Sequence, residues 1–143
     1  MNMKSGYLYL ETHVQHPGLL RCLIKDRMPS TESHAGIAVR YVARFNDVEA
    51  AQMHLQNWLR RALLDIDEHL YRVDLATAMA VVESDDLRHE RLWIDPELTE
   101  QERLRFQSLN EAYRTRRRRQ DAVWLLVGRL ALIFLLLGLL VLF

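Results

Sequence analysis

Apolar residues recur in short runs through the first half of the chain and form one long run at its end. Residues 7–12 are rich in strand formers, and after the turn signal His16-Pro17-Gly18 a second apolar run covers residues 19–24. Residues 37–45 alternate apolar with polar or small side chains, the two-residue period of a strand with one face on a core. The pattern therefore predicts two strands joined by a turn and, after a loop, a third strand.

Helical periods follow these strands. Asp47 stands where its side chain caps a helix, and the apolar residues that follow recur three and four apart across residues 48–63. Residues 69–73 have the composition of a brief fourth strand, and Asp74 is placed to cap a shorter helix over residues 75–82. We therefore predict an α+β fold in which helices flank a small, mainly antiparallel sheet of three to four strands.

This head is predicted to occupy residues 1–83, and a charged linker is predicted at residues 84–98. Thr99 and Glu102 have the spacing of a capping box, which marks the start of a new helix. The apolar content of this helix is low. Residues 99–121 are therefore predicted to form a solvated helical stalk that ends in a basic neck.

The long apolar run covers residues 122–143 and contains one charge, Arg129. As a helix it would extend about 33 Å, close to the hydrocarbon thickness of a bilayer. The alternative is a buried core helix, but a helix that is apolar all round needs more protein around it than this chain offers. Arg129 would lie about 10 Å inside the run, near enough for its guanidinium to snorkel to the headgroups. The run is therefore predicted to be a transmembrane anchor.

Charge is unevenly distributed, although the whole chain is formally neutral. Residues 1–95 carry 11 Lys and Arg against 14 Asp and Glu, whereas residues 96–143 carry 8 against 5. The basic neck before the anchor consists of Arg114, Arg116, Arg117, Arg118 and Arg119. By the positive-inside rule it predicts a single-pass, tail-anchored protein of the inner membrane with a cytoplasmic N-terminus. Anionic headgroups are its expected partner, at about 1 kcal/mol per arginine, and a nucleic-acid arm is the alternative.

Candidate metal ligands and nucleophiles are few. Cys22 is the one cysteine, so an internal disulfide framework is excluded, in agreement with a reducing compartment. His13, His16 and Cys22 do not have the paired spacing of a zinc site, and Cys22 lies in an apolar run where a small core residue is expected. The residues by themselves predict no cofactor.

Several segments of the head occur in the order found in a known nuclease family. They are Gly6-Tyr7-Leu8-Tyr9-Leu10, Pro17-Gly18-Leu19-Leu20-Arg21, the strand at residues 39–45, the helix at 47–61 and His69-Leu70-Tyr71-Arg72-Val73. In this order they resemble the short, phage-type branch of the GIY-YIG endonuclease superfamily. The resemblance covers about residues 6–83 and implies a small α/β nuclease fold, a DNA substrate and a bacterial or phage setting.

The resemblance also implies roles for single residues. Tyr9 matches the family's first-strand tyrosine, and Arg21 stands where the family has a second tyrosine or a lysine. Arg27 is the nearest substitute for the helix arginine that binds phosphate. Glu68 is the nearest carboxylate to the glutamate that holds one divalent metal, so Mg²⁺ is expected only if the head is active.

The head departs from the family pattern at several of these positions. Leu23 stands where the family has a glycine, and the stretch Ser30-Thr31-Glu32 lacks the helix arginine. The expected metal position is His69, while Glu68 precedes it by one residue and, if the strand includes both, would point to the opposite face. The resemblance therefore predicts a GIY-YIG-like head that has lost catalysis.

The function predicted from these features is that of a membrane-tethered interaction module. A protein partner, or a second copy contacting through the stalk and the span, is the expected ligand besides the bilayer. An active Mg²⁺-dependent DNA endonuclease held at the membrane is the first alternative. A membrane-associated structural protein unrelated to nucleases is the second.

Overall fold

The computed structural model describes residues 4–142 of the chain. Its elements are β1 (Gly6–His13), β2 (Leu19–Lys25), β3 (Ile37–Phe45), α1 (Val48–Trp58), β4 (Leu63–Asp65), β5 (Leu70–Arg72), α2 (Leu75–Glu83), β6 (His89–Ile94) and α3 (Glu100–Leu142). The chain divides into two compact units, and the boundary between them falls after Asn110. The predicted α+β class is confirmed, while the predicted anchor's last residue, Phe143, lies outside the described part.

The strands form one antiparallel sheet in the order β4-β5-β2-β1-β3-β6, which is more than the three to four strands predicted. One additional strand, β4, has three residues, too few to show a period, and the helical stripe predicted to reach Leu63 ends with α1 at Trp58. The other, β6, lies within the charged stretch at residues 84–98 that we predicted to be a linker. An edge strand tolerates charged side chains, so this stretch forms β6 without an alternating apolar pattern.

One face of the sheet packs on α1 and α2. Leu8 and Phe45 line a small internal space with Leu55 of α1 and Val82 of α2, and all four side chains are at most 3% exposed. Because side chains alternate along a strand, Tyr9 lies on the other face of β1. That second face carries the residues considered below.

Gly6 lies where β1 passes closest to α1. A Cβ atom at this position would come within 2.8 Å of Val48 Cγ1 and 3.0 Å of the Lys25 carbonyl oxygen. Both distances are shorter than normal van der Waals contacts, so either the backbone or Val48 would have to move. The glycine is required by packing, since β-strand propensity alone would favour alanine.

We therefore expect Gly6→Ala to lower the free energy of unfolding of the head by about 1–3 kcal/mol, the usual cost of overpacking a core. Urea-induced unfolding measures the change. Ser5→Ala, at the exposed neighbouring position, is the matched control and should stay within about 0.5 kcal/mol of the parent. Equal or greater stability of Gly6→Ala would show that the close approach is not maintained.

The helix starts predicted from the sequence are present. The side chains of Asp47 and Asp74 each accept a hydrogen bond from the backbone amide three residues later, at 3.1 and 3.0 Å. Thr99 and Glu102 form the reciprocal capping box, with backbone amide bonds of 2.9 and 3.2 Å. These side chains satisfy amides that the first turn of a helix leaves free.

The first turns of α3 belong to the head unit. Phe106 is 7% exposed and Leu98, just before the helix, is 6% exposed, so both contribute to the core. Arg105 of α3 forms an ion pair with Asp74 at 3.2 Å. The helix that we predicted to be a solvated stalk therefore packs with the head in its first turns.

The second unit contains the rest of α3. Within the described residues, one helix is long and apolar enough to cross a membrane, Glu100–Leu139, and none of its most apolar stretch is buried by protein. This length and composition agree with the anchor predicted at residues 122–143. A fully exposed apolar helix is unfavourable in water and favourable in lipid.

Candidate functional site

Arg21 of β2 is held between two carboxylates on the sheet face that α1 and α2 leave open. Its register partner on β1 is Glu11, whose Oε1 lies 3.3 Å from Arg21 Nη1. Arg21 Nη2 forms an ion pair with Glu68 Oε2, and Arg21 Nε donates to the Glu68 carbonyl oxygen at 3.3 Å. We call Glu11, Arg21 and Glu68 the Arg21 clamp. With both carboxylates ionised, its formal charge is −1.

A tight turn brings Glu68 to Arg21. Asp65 Oδ1 accepts hydrogen bonds from the backbone amides of Asp67 and Glu68 at 2.9 and 3.1 Å. His69 follows with a φ of +49°, in the left-handed region, and its carbonyl accepts from the Cys22 amide at 3.1 Å. Glu68 thus lies in the turn before β5, where strand alternation does not apply. The opposite-face placement predicted for a strand that includes residues 68 and 69 therefore does not apply, because β5 begins at Leu70.

Tyr9 lies on the same open face as the clamp and is 4% exposed. It packs with Val39 and Val42, and Trp93 of β6 covers the cluster in part. The Lys25 Nζ lies 5.3 Å from the centroid of the Tyr9 ring, within cation–π range. Tyr9 is therefore a packed aromatic residue of a small second core.

Of the residues predicted to act together, the structure joins Arg21 with Glu68 and places Tyr9 on the same face of the sheet. Arg27 is exposed in the bend after β2, outside the strands that carry the clamp. Sequence reasoning did not select Glu11. Its signal was a charged residue in an apolar strand, opposite an arginine across a predicted hairpin.

The clamp does not fit a resident Mg²⁺ ion. Mg²⁺ needs carboxylate oxygens in an octahedral shell that it shares with water or phosphate. Arg21 already contacts the carboxylates of both Glu11 and Glu68, and its positive charge would repel a divalent cation at the same oxygens. No reaction step through a metal follows from this arrangement.

A cavity of about 340 Å³ opens beside the clamp. Glu11 and Arg21 form one side of it, and its remaining lining consists of Thr12, His13, His16, Leu19, Ile37 and Leu70. The rings of His13 and His16 have centroids 5.3 Å apart and an interplanar angle of 43°. Cys22 is not part of this lining and is fully buried, and burial raises the pKa of its thiol. It is a core residue.

A second group of potential metal ligands lies at one edge of α1. One ligand atom each from His54, Asp85 and Asp86 falls within 4.8 Å of the others. His54 Nδ1, however, is 3.0 and 3.2 Å from the two carboxylate oxygens of Asp85. A hydrogen bond between the imidazole and the carboxylate accounts for the contact.

The basic neck and the span are described within the second unit. Four of the five neck arginines are exposed and Arg117 is half-buried. Arg129 is exposed on the apolar helix. The neck is therefore an accessible basic surface.

Comparisons of the chain with protein-family models, with curated proteins and with solved structures found no match. The GIY-YIG resemblance thus stays a prediction that rests on residues of this chain.

Proposed function

We propose that this protein is a single-pass membrane protein whose GIY-YIG-like head is a non-catalytic interaction module at the cytoplasmic surface of the inner membrane. The observation that carries the non-catalytic part is the Arg21 clamp. The apolar helix at the end of the chain supports the membrane location.

Phosphodiester cleavage needs positive charge where the transition state develops negative charge. Arg21 is the one candidate cation on the open face of the sheet that the resemblance assigns to the site, and Glu11 and Glu68 neutralise it. The remaining formal charge of −1 opposes the approach of a polyanion. Tyr9, packed at 4% exposure, does not offer its side chain to a large substrate.

The basic neck supports an N-terminus in the cytoplasm and a position at an anionic leaflet. Positive charge that flanks a span is retained on the cytoplasmic side, and each surface arginine adds about 1 kcal/mol of attraction to acidic lipids. A nucleic-acid arm is not required to explain these arginines.

An active endonuclease is the second candidate, because Tyr9 and Arg21 share one face of the sheet and Glu68 contacts Arg21 from the turn before β5. We expect the full chain, purified in lipid nanodiscs, to leave supercoiled plasmid DNA intact in the presence of Mg²⁺ or Mn²⁺. Gel electrophoresis of the DNA measures cleavage. Tyr9→Phe is the test variant and Tyr7→Phe is its control. Cleavage by a contaminating nuclease would be unchanged in both. Cleavage that Tyr9→Phe abolishes and Tyr7→Phe retains would establish the enzyme.

A further inference from the structure

β6 forms one edge of the sheet and pairs only with β3. Alternate backbone N–H and C=O groups of an edge strand point away from the sheet and are available to another strand. The opposite edge, β4, has three residues, whereas β6 has six. β6 is thus the longer of the two edges at which the sheet of the described residues can be extended.

A groove of about 410 Å³ runs beside this edge. Its lining includes every residue from 91 to 96, together with Met79 of α2 and Phe106 of α3. Consecutive residues of a strand point to opposite faces of a sheet, so a groove lined by an unbroken run follows the edge of the strand. An edge strand facing a helix across an apolar groove is the geometry in which extended peptides add to a sheet.

The side chains of the groove indicate the chemistry of its occupant. Leu92 is 38% exposed, and Leu98 and Phe106 provide an apolar floor. Arg91 is half exposed and its Nη1 lies 3.6 Å from Glu83 Oε1. Arg103 of α3 is exposed, and its Nη2 donates to the Pro96 carbonyl oxygen at 2.9 Å. The one acid in the lining, Asp95, is engaged by Arg40 at 3.1 Å. Arg103 contacts a carbonyl oxygen and no carboxylate among the described contacts, so it gives the groove a positive charge above an apolar floor.

We propose that this groove binds an extended, acidic segment of a partner protein, which adds to the sheet as a strand beside β6. Alternate apolar side chains of the segment pack toward Leu98 and Phe106, and its carboxylates face Arg103. This inference rests on the proposed interaction role of the head and supplies its binding surface. It does not depend on the state of the Arg21 clamp.

The test uses the full chain in nanodiscs of uncharged lipid and a fluorescent eight-residue peptide that alternates valine with glutamate. Fluorescence anisotropy measures its affinity, and amide hydrogen exchange locates the site. We expect protection of the β6 amides, and binding about tenfold weaker for Arg103→Glu, because the variant places like charges together. Arg72→Glu, which reverses an exposed arginine on β5, should bind like the parent.

Several outcomes would overturn the proposal. They are failure of the peptide to bind, equal affinity for a valine–lysine peptide, protection away from β6, and unchanged affinity of Arg103→Glu. If, without peptide, the β6 amides become protected from exchange as the protein concentration rises, the groove binds a second copy of the chain. That result would also overturn the proposal. None of these results bears on DNA cleavage or on membrane anchoring, so failure here is distinguishable from failure of the proposed function.

Discussion

Ending the chain at Arg119 is expected to convert a protein that pellets with membranes after a high-salt wash into one that stays in the supernatant. The deletion removes the apolar end of α3, in which every residue from 120 to 139 is exposed. A transmembrane helix holds a protein in lipid essentially irreversibly, whereas attraction of arginines to headgroups is screened by salt. The truncated chain keeps Leu98 and Phe106, so the core of the head is not cut.

The control for this experiment retains the span and removes the charge. Replacing the neck arginines from Arg116 to Arg119 by glutamine should leave the full chain in the pellet, because the apolar helix remains. Immunoblotting of pellet and supernatant measures the distribution. Pelleting of the truncated chain after the salt wash, or release of the full chain, would contradict the membrane assignment. Protease protection of the head in sealed vesicles then tests the cytoplasmic orientation.

Local signals in the sequence predicted the helix starts because capping depends on residues close together in the chain. Asp47, Asp74 and the pair Thr99 and Glu102 each satisfy amides within three residues. β6 depends instead on hydrogen bonds to β3, more than 40 residues earlier. Such long-range pairing produces no alternating apolar pattern in the sequence when the strand is a charged edge strand. The sequence therefore predicted the inner strands of the sheet, whereas the two edge strands, β4 and β6, were not predicted.

In the candidate site, too, the sequence indicated a single residue but not its long-range contacts. Arg21 was selected, but its neutralisation by Glu11 and Glu68 depends on a hairpin register and on a turn 47 residues further along the chain. His69 has a left-handed backbone, so the alternation of side chains along β5 does not extend back to Glu68. A positive φ at a histidine is not evident from the sequence. Charges that look solvated in the sequence are thus engaged with each other in the fold.

A buried ion network joins the sheet to α2 at Glu83. Tyr41 donates its hydroxyl to Glu83 Oε1 at 2.9 Å, Arg91 Nη1 lies 3.6 Å from the same oxygen, and His89 Nε2 lies 4.0 Å from Oε2. Burial alone would raise the pKa of Glu83, but hydrogen bonds from His89 and Tyr41 and the charge of Arg91 lower it overall. Glu83 in turn raises the pKa of His89, against the opposing effect of burial. The carboxylate is therefore ionised and paired in the folded head.

Glu83→Ala is expected to lower the free energy of unfolding by about 3 kcal/mol, measured from urea midpoints of the full chain in nanodiscs. Removing one partner of a buried charged group costs about 3–5 kcal/mol, and the half-exposed Arg91 places this case at the lower end. Much of this cost arises because the Tyr41 hydroxyl would remain buried without its acceptor. Glu90→Ala, an exposed glutamate of β6, is the matched control with an expected change within about 0.5 kcal/mol.

A double-mutant cycle separates two costs, that of leaving the Tyr41 hydroxyl without an acceptor and that of losing the Glu83 carboxylate. In a Tyr41→Phe background, Glu83→Ala should cost about 1–2 kcal/mol less than in the parent, because the hydroxyl is no longer present to be stranded. Additive effects of the two substitutions would mean that the 2.9 Å hydrogen bond is not maintained in solution.

The pH dependence of stability gives the network a second signature. A lowered pKa of Glu83 contributes stability above the ordinary value of 4.5 that is lost as pH falls through the folded-state value. A raised pKa of His89 contributes stability below the ordinary value of 6.5 that is lost as pH rises through the folded-state value. The pair therefore stabilises most between these two values, and each slope is at most about 1.4 kcal/mol per pH unit. Glu83→Ala should remove the decline in stability that His89 causes as pH rises above 6.5. A pH profile that is the same in the parent and in His89→Gln would show that other groups determine it.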